Sequence, residues 1–247
     1  MKFKYTILVF LFIIGSISAQ PFGFGCLGLS GFYAGFSNQL YETKGISEYL
    51  NTGIVKDNID FKKGTGYRVG ANIFRAKSKY IFVSAKGYYQ FLKETHERHI
   101  VTVGNLTENI NSNLAREKYD LSLNHWGVGI DIGIPIFSIL DWKVVEGNLT
   151  FHNSELNGEF YNLQGELVNE VKYSPEKIKI GYFVGSGIIL HLIPDYVSIE
   201  ATAGLNFFEI DNLSGENVII PSSSSNNKAL NKSGFSATLQ LNVGFPL

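Results

Sequence analysis

The sequence predicts an all-β protein, a closed antiparallel up-and-down transmembrane β-barrel of eight strands. Three observations lead there. After residue 20 the chain divides into eight segments of alternating apolar and polar residues. The connections between them run long, short, long, short, long, short, long. Each segment is at least as long as the roughly 9–11 tilted residues that a strand needs to cross a bilayer. Long connections on one side, tight turns on the other and an even strand number make the hairpin rhythm of a membrane barrel.

Composition supports this reading. The chain has 247 residues, enough for one all-β domain. Apolar residues make up 45% and charged residues only 17%, too few charges for an ordinary water-facing surface. The same balance excludes intrinsic disorder, which needs low hydrophobicity and high charge. A formal net charge of −1 leaves no basic field for nucleic acid. No stretch beyond the N-terminus reaches about 18 uninterrupted apolar residues. The longest candidate, Ile130 to Leu140, is broken by Asp131 and Pro135. If the chain lies in a membrane, it crosses as strands, and only a closed barrel satisfies every backbone group in lipid.

The N-terminus reads as an export signal over residues 1–19. Lys2 and Lys4 supply the positive start, Tyr5 to Ile14 the apolar run, and Ser16-Ile17-Ser18-Ala19 the small-residue cleavage site. The barrel domain is then 20–247, and loss of Lys2 and Lys4 takes the charge from −1 to −3. Cys26 is the only cysteine, so no internal disulfide forms. Pro21 separates it from the apolar run, which departs from a lipid-attachment pattern, and Cys26 reads as a small residue in the first strand.

The first strand is expected over about Phe24 to Tyr41. Its two faces are both mixed, with Tyr33 on one and Phe32, Ala34 and Phe36 on the other, so its lipid side stays open. A polar loop, about Glu42 to Lys63, follows. The second strand, about Gly64 to Ala76, sets Tyr67, Val69, Ala71 and Ile73 against Arg68, Gly70 and Asn72. After the short Lys77-Ser78-Lys79 turn, the third runs from Tyr80 to about Lys93. It opposes Val83, Ala85, Tyr89 and Phe91 to Ser84, Lys86, Tyr88 and Gln90. A second long loop is expected over about Glu94 to Ala115.

The fourth strand, about Glu117 to Ile134, places Trp126, Val128, Ile130, Ile132 and Ile134 opposite His125 and Asp131. Leu121 and Leu123 fall on the polar parity, which suggests a β-bulge near Asn124. The fifth, about Leu140 to His152, sets Val145, Leu149 and Phe151 against Glu146, Asn148 and Thr150. In the third long connection, Asn153 to Glu176, the Gln164-Gly165 pair between apolar residues predicts a hairpin that extends beyond the membrane. The sixth strand spans about Lys177 to Leu190 and the seventh about Tyr196 to Ile210, the latter with Glu200 on its polar face. The fourth loop, Asp211 to Asn231, contains the polar run Ser222 to Asn227. The eighth strand, about Lys232 to Phe245, alternates most cleanly.

Parity sorts the charges. Lys or Arg on the lipid side costs roughly 2–4 kcal/mol at mid-bilayer. Arg68, Lys86, Asp131, Glu146 and Glu200 all fall on polar faces, and are expected to pair inside the lumen as a structural cluster. The rival role is an ion or proton path. An eight-stranded barrel is only wide enough to be filled by its own side chains, which favours the plug. Tyr80, Trp142, Tyr196 and Phe245 near one set of strand ends, and Tyr67, Tyr89, Phe91, Phe151, Phe207 and Phe235 near the other, fit two interfacial girdles.

The chain resembles the small outer-membrane barrel proteins of the OmpA/OmpX-like family. The resemblance covers about Phe22 to Leu247 and rests on the signal ending Ala19-Gln20, the connection pattern and the strand Phe235–Phe245. Barrels of this kind end in an aromatic residue read by the assembly machinery; here Pro246-Leu247 follow Phe245, an offset of two. The resemblance implies an outer membrane of Gram-negative type, outer-membrane lipid as surroundings, and barrel-assembly machinery and periplasmic chaperones during biogenesis. An extracellular partner would meet the four long loops.

Catalytic signals are thin. His152 and Ser154 resemble the His-x-Ser of barrel lipid A deacylases, and histidine beside serine is suitable chemistry for ester cleavage. That site must face lipid, whereas both residues share the parity of Glu146 and Thr150, and Glu155 stands where the motif has Asn. His96 and His99 read as solvated loop residues, since a metal site needs more ligands. No cofactor is expected. The reading is a non-catalytic barrel with an envelope-structural or surface-interaction role. Its rivals are a narrow porin-like channel, a lipid-modifying enzyme and a secreted lipocalin-like binder, the last with its apolar faces turned inward.

Overall fold

The computed structural model describes residues 31–52, 57–99, 114–194, 196–215, 218–221 and 227–244. The signal segment, Cys26, the predicted strand from Phe24 to Ser30, most of the Ser222–Asn227 run and Phe245 lie outside the described residues.

In chain order the elements are β1 (Gly31–Glu42), α1 (Lys44–Leu50), β2 (Lys63–Lys77), β3 (Phe82–His99), β4 (Leu114–Phe137) and β5 (Leu140–Asn162). Then come β6 (Leu167–Tyr173), β7 (Lys179–Ile193), β8 (Val197–Phe207), β9 (Leu213–Ser214), β10 (Ile219–Ile220) and β11 (Lys232–Gly244). Eight of them close a ring in the order β1–β2–β3–β4–β5–β7–β8–β11, with β11 back on β1, every pair antiparallel. The ring has no edge, so its backbone groups are paired without water, as lipid demands. Gly31 pairs with Gly244, which puts both ends of the described ring on the short-turn side.

The outward rows are apolar. Val128, Ile130, Ile132, Ile134 and Ile136 on β4, and Ile180, Tyr182, Val184, Ile188 and Leu190 on β7, are all exposed. Ser84, Lys86, Asp131, Glu146, Asn148, Glu200, Thr202, Gln240 and Asn242 are buried in the interior. This polarity is the reverse of a lipocalin's and makes the eight strands transmembrane. It also settles β1. Phe32, Phe36 and Leu40 face out, while Tyr33, Ser37, Gln39 and Tyr41 face in. Glycine makes room for the interior rings: a Cβ on Gly127 would overlap the Tyr88 ring.

Two bulges change the expected parity. At Ile73 the β2–β3 register shifts, so Ile73 and Phe74 are both exposed and Arg75 and Lys77 turn inward. At Val144 and Val145 the β5 register shifts against both neighbours, and both valines face out. The bulge expected near Asn124 is absent: β4 runs in continuous register from Arg116 to Ile132 on β5.

Leu121 and Leu123 instead point inward on the same parity as His125, because the interior changes character above the bilayer. β3, β4 and β5 continue past the ring as a sheet that β6 joins. Residues 94–99 and 114–115, expected as loop, are therefore strand. Gly165, at φ +81°, closes the predicted β5–β6 hairpin, with Asn162 N–H donating to Glu166 O. The inner face of this sheet packs on α1 and the β9–β10 hairpin. Ile46, Leu50, Ile59, Phe61, Leu92, Leu121, Leu123, Leu156, Ile210, Leu213, Ile220 and Leu230 form one buried apolar core. The result is a hood over the long-loop end of the lumen. α1 replaces part of the expected polar loop; its Ile46 and Leu50 are buried.

Glu94 ties the hood down. Its carboxylate accepts Tyr41 Oη at 2.7 Å and the N–H groups of Lys62 and Lys63 at 2.9 and 2.8 Å. His96, expected in a solvated loop, lies on β3, 2.9 Å from Glu94 and edge-on to Phe61. His99 ends β3 and is exposed.

Candidate functional site

The candidate site is the polar interior of the ring. All five residues picked out by parity meet there, joined by Lys143. Lys86 Nζ lies 2.7 Å from Glu146 Oε1 and 3.1 Å from Asp131 Oδ1. Lys143 Nζ lies 2.6 Å from Glu146 Oε2, bonds Glu200 Oε1, and donates to Thr202 Oγ1 at 3.0 Å. Arg68 donates from Nε to Gln90 Oε1 at 2.7 Å and lies 4.3 Å over the Tyr88 ring. Its Nη1 is 3.8 Å from Glu146 Oε1.

Neutral groups complete the network. Ser84 donates to Asp131 at 3.1 Å, Asn148 to Glu146 at 2.7 Å and Asn242 to Glu200 at 3.3 Å. Three cations thus balance three carboxylates in a buried interior. Such a cluster contributes little net stability, because desolvation offsets attraction, but removing one member strands a buried charge. Asp131, Glu146 and Glu200 each offer an oxygen within 4.8 Å of the others, the spacing of a cation site. The ammonium groups of Lys86 and Lys143 already fill that role.

A second cluster sits nearer the short turns. Asp141, fully buried, accepts Lys77 Nζ at 2.9 and 2.8 Å, Arg75 Nη2 at 3.2 Å and His191 Nε2 at 2.8 Å. Sequence parity missed all four of these residues and Lys143. The signal for Lys143 was the Val144-Val145 pair, which interrupts alternation. Ile73-Phe74 is the same signal for Arg75 and Lys77.

His152 and Ser154 both point inward and are 1% exposed. His152 Nε2 is 2.8 Å from Thr150 Oγ1, and Phe208 stacks flat on its ring. The pair lies beneath the hood, shut away from the lipid that a deacylase must reach.

The sequence matches no family model and no curated protein. Among solved structures, the chain is similar to Ail, the attachment invasion locus protein of Yersinia pestis, at 11% identity and TM-score 0.39, over 88% of this chain and 98% of that one. It is similar to Neisserial surface protein A at 12% identity and TM-score 0.43, over 88% and 99%. It is also similar to a major outer membrane protein from Thermus thermophilus at 9% identity and TM-score 0.46, over 87% and 100%. The assignment rests on the chain's own geometry: a closed ring of eight antiparallel strands, charged inside and apolar outside, is the architecture of a small outer-membrane β-barrel.

Proposed function

We propose that this protein is a non-catalytic barrel of a Gram-negative-type outer membrane, closed to solute flow, that serves the envelope through its extracellular hood. Export by the N-terminal signal and insertion by barrel-assembly machinery belong to this reading. The observation that carries it is the double closure of the lumen. The ion network of Lys86, Lys143 and Arg68 joins β2, β3, β4, β5 and β8 across the interior, and the apolar hood core covers the long-loop end. A channel needs a continuous wet path, and a lipid-modifying enzyme needs a nucleophile open to lipid.

The hood is the part left to meet a partner. Its outer face is a lattice of ion pairs, including Lys93–Asp120 at 2.9 Å, Lys118–Glu159 at 2.9 Å and Lys172–Glu155 at 2.6 Å. Among the described residues β6 pairs along its length with β5 alone, and Leu167 and Val168 are exposed. An edge strand of this kind supports docking of an extended segment from an extracellular protein. Planar-bilayer recording at pH 7 tests the reading. Quiet membranes with the barrel inserted are the expected result; stable single-channel steps would overturn it in favour of the narrow channel.

A further inference from the structure

His125 on β4 and His152 on β5 are direct cross-strand partners. Their ring centroids are 4.6 Å apart with the planes tilted by 37°. Phe208, on the connection from β8 to β9, lies on the His152 ring at 3.7 Å and 8°. Both imidazoles are buried, and the Nδ1 atom of each has no hydrogen-bond partner among the described residues; nor has Ser154 Oγ. The pair marks a seam. Gln90 is level with His125 across the β3–β4 ladder, and towards the short turns lie Tyr88 and the ion network. Towards the long loops, the inward residues become Leu123 and Leu121 on β4, and Ser154 and Leu156 on β5.

Among the described residues, the charged and titratable groups around the pair offer no counter-ion. β2 brings Arg68, a cation whose Nε donates at 2.7 Å to Gln90, the ladder partner of His125 on β3. β3 brings Tyr88, edge-on to His125 at 5.7 Å. β7 brings Lys179, the ladder partner of His152, whose ammonium is 2.6 Å from Asp211. β1 and β8 contribute Gln39 and Asn206, bonded to each other at 3.0 Å.

We propose that the His125–His152 pair is an acid-sensitive catch, so that proton uptake at both rings releases the hood and opens the long-loop end of the lumen to water. Two imidazolium rings this close, desolvated and without a carboxylate, repel each other and Arg68. An opened hood hydrates them and restores their ordinary affinity for protons, near pH 6.5. Only the opened state takes up the protons, so below that range opening grows about tenfold per pH unit for each histidine. The inference rests on the closed lumen proposed above, but it is read without any conductance.

Amide hydrogen exchange in lipid nanodiscs tests it, with rates corrected for their intrinsic pH dependence. The reporters are the backbone amides of Leu121, Leu123 and Leu156. From about pH 6 to about pH 5 their protection in the wild-type protein should fall by a factor approaching about a hundred, the product of two proton uptakes. Each single variant, His125→Gln or His152→Gln, should show a fall of about tenfold, and the double variant a flat profile. A second double variant, His125→Asn with His152→Phe, keeps the stack on Phe208 and should be equally flat. His96→Gln should keep the wild-type slope. A flat wild-type profile, an unchanged slope in both double variants, or a slope that moves to His96 would each overturn the proposal.

Discussion

Lys143 and Glu146 lie three residues apart on one strand, yet both side chains enter the lumen and meet at 2.6 Å. Regular alternation would send one of them into lipid. The bulge at Val144 and Val145 absorbs the extra residue and keeps both valines outside. Lys143→Met leaves the buried carboxylates of Glu146 and Glu200 short of a cation. The expected loss is about 3–5 kcal/mol, measured by urea unfolding from lipid vesicles. Adding Glu200→Gln to that variant should recover more than half of it. A single variant as stable as the wild-type protein would show that Lys143 does not hold the network.

The outward rows predict a different penalty. Ile130, exposed at 56%, lies in the middle of the β4 apolar row. Ile130→Arg should lower stability in vesicles by about 2–4 kcal/mol, and Ile130→Leu should be close to neutral. Equal stability of the arginine variant would place that row away from lipid.

The hood should melt apart from the ring. Leu121 and Leu156 are almost wholly buried in its core. Leu121→Ala or Leu156→Ala should weaken it by about 2–5 kcal/mol. Limited proteolysis should then cut the long-loop side faster while the ring still resists. Cleavage within the ring strands instead would show that hood and ring unfold as one unit.

Acid should act on the hood a second time, below the histidine window. Burial pushes the Asp120 carboxyl up, but bonds from Thr95 and Lys93 and the nearby Lys118 hold it below the usual range. Tyr161 and Lys118 do the same for Glu159, and Lys179 does so for Asp211. A carboxyl depressed in the folded state stabilises it above the ordinary value, about 3.9–4.3. That contribution is lost as pH falls through the folded value. Asp120→Asn should therefore weaken the hood at pH 7 and flatten its stability profile only below about pH 4. Chemical unfolding of the hood across pH, read as the difference between the variant and the wild-type protein, reports both; a difference in slope between the two over pH 6 to pH 5 would contradict this assignment.

How much of this was legible depended on what each residue faces. In β3, β8 and β11 one side meets lipid and the other a polar lumen, so alternation alone placed Lys86, Glu200 and their neighbours. Leu121 and Leu123 misled because alternation reads apolar as lipid-facing, whereas above the bilayer the inner face is the hood core. Lys143, Arg75 and Lys77 were hidden by bulges, which reverse parity over one residue. α1 has 7 residues and no side-chain cap, too little for a helical period to show. β1 gave no direction because its inward side carries Tyr33 and Tyr41, as aromatic as its outward side.

The central claim is that outward rows meet lipid while inward rows meet a closed, charged lumen. Spin labels at single cysteines along β11, in a Cys26→Ser background in vesicles, test it most directly. Labels at Leu239, Leu241 and Val243, all exposed, should collide readily with oxygen dissolved in the lipid. Labels at Thr238 and Gln240, buried and outside the ion network, should be shielded from both oxygen and a water-soluble nickel chelate. Loss of that two-residue alternation, or free access of the chelate to Gln240 at pH 7, would contradict the closed barrel.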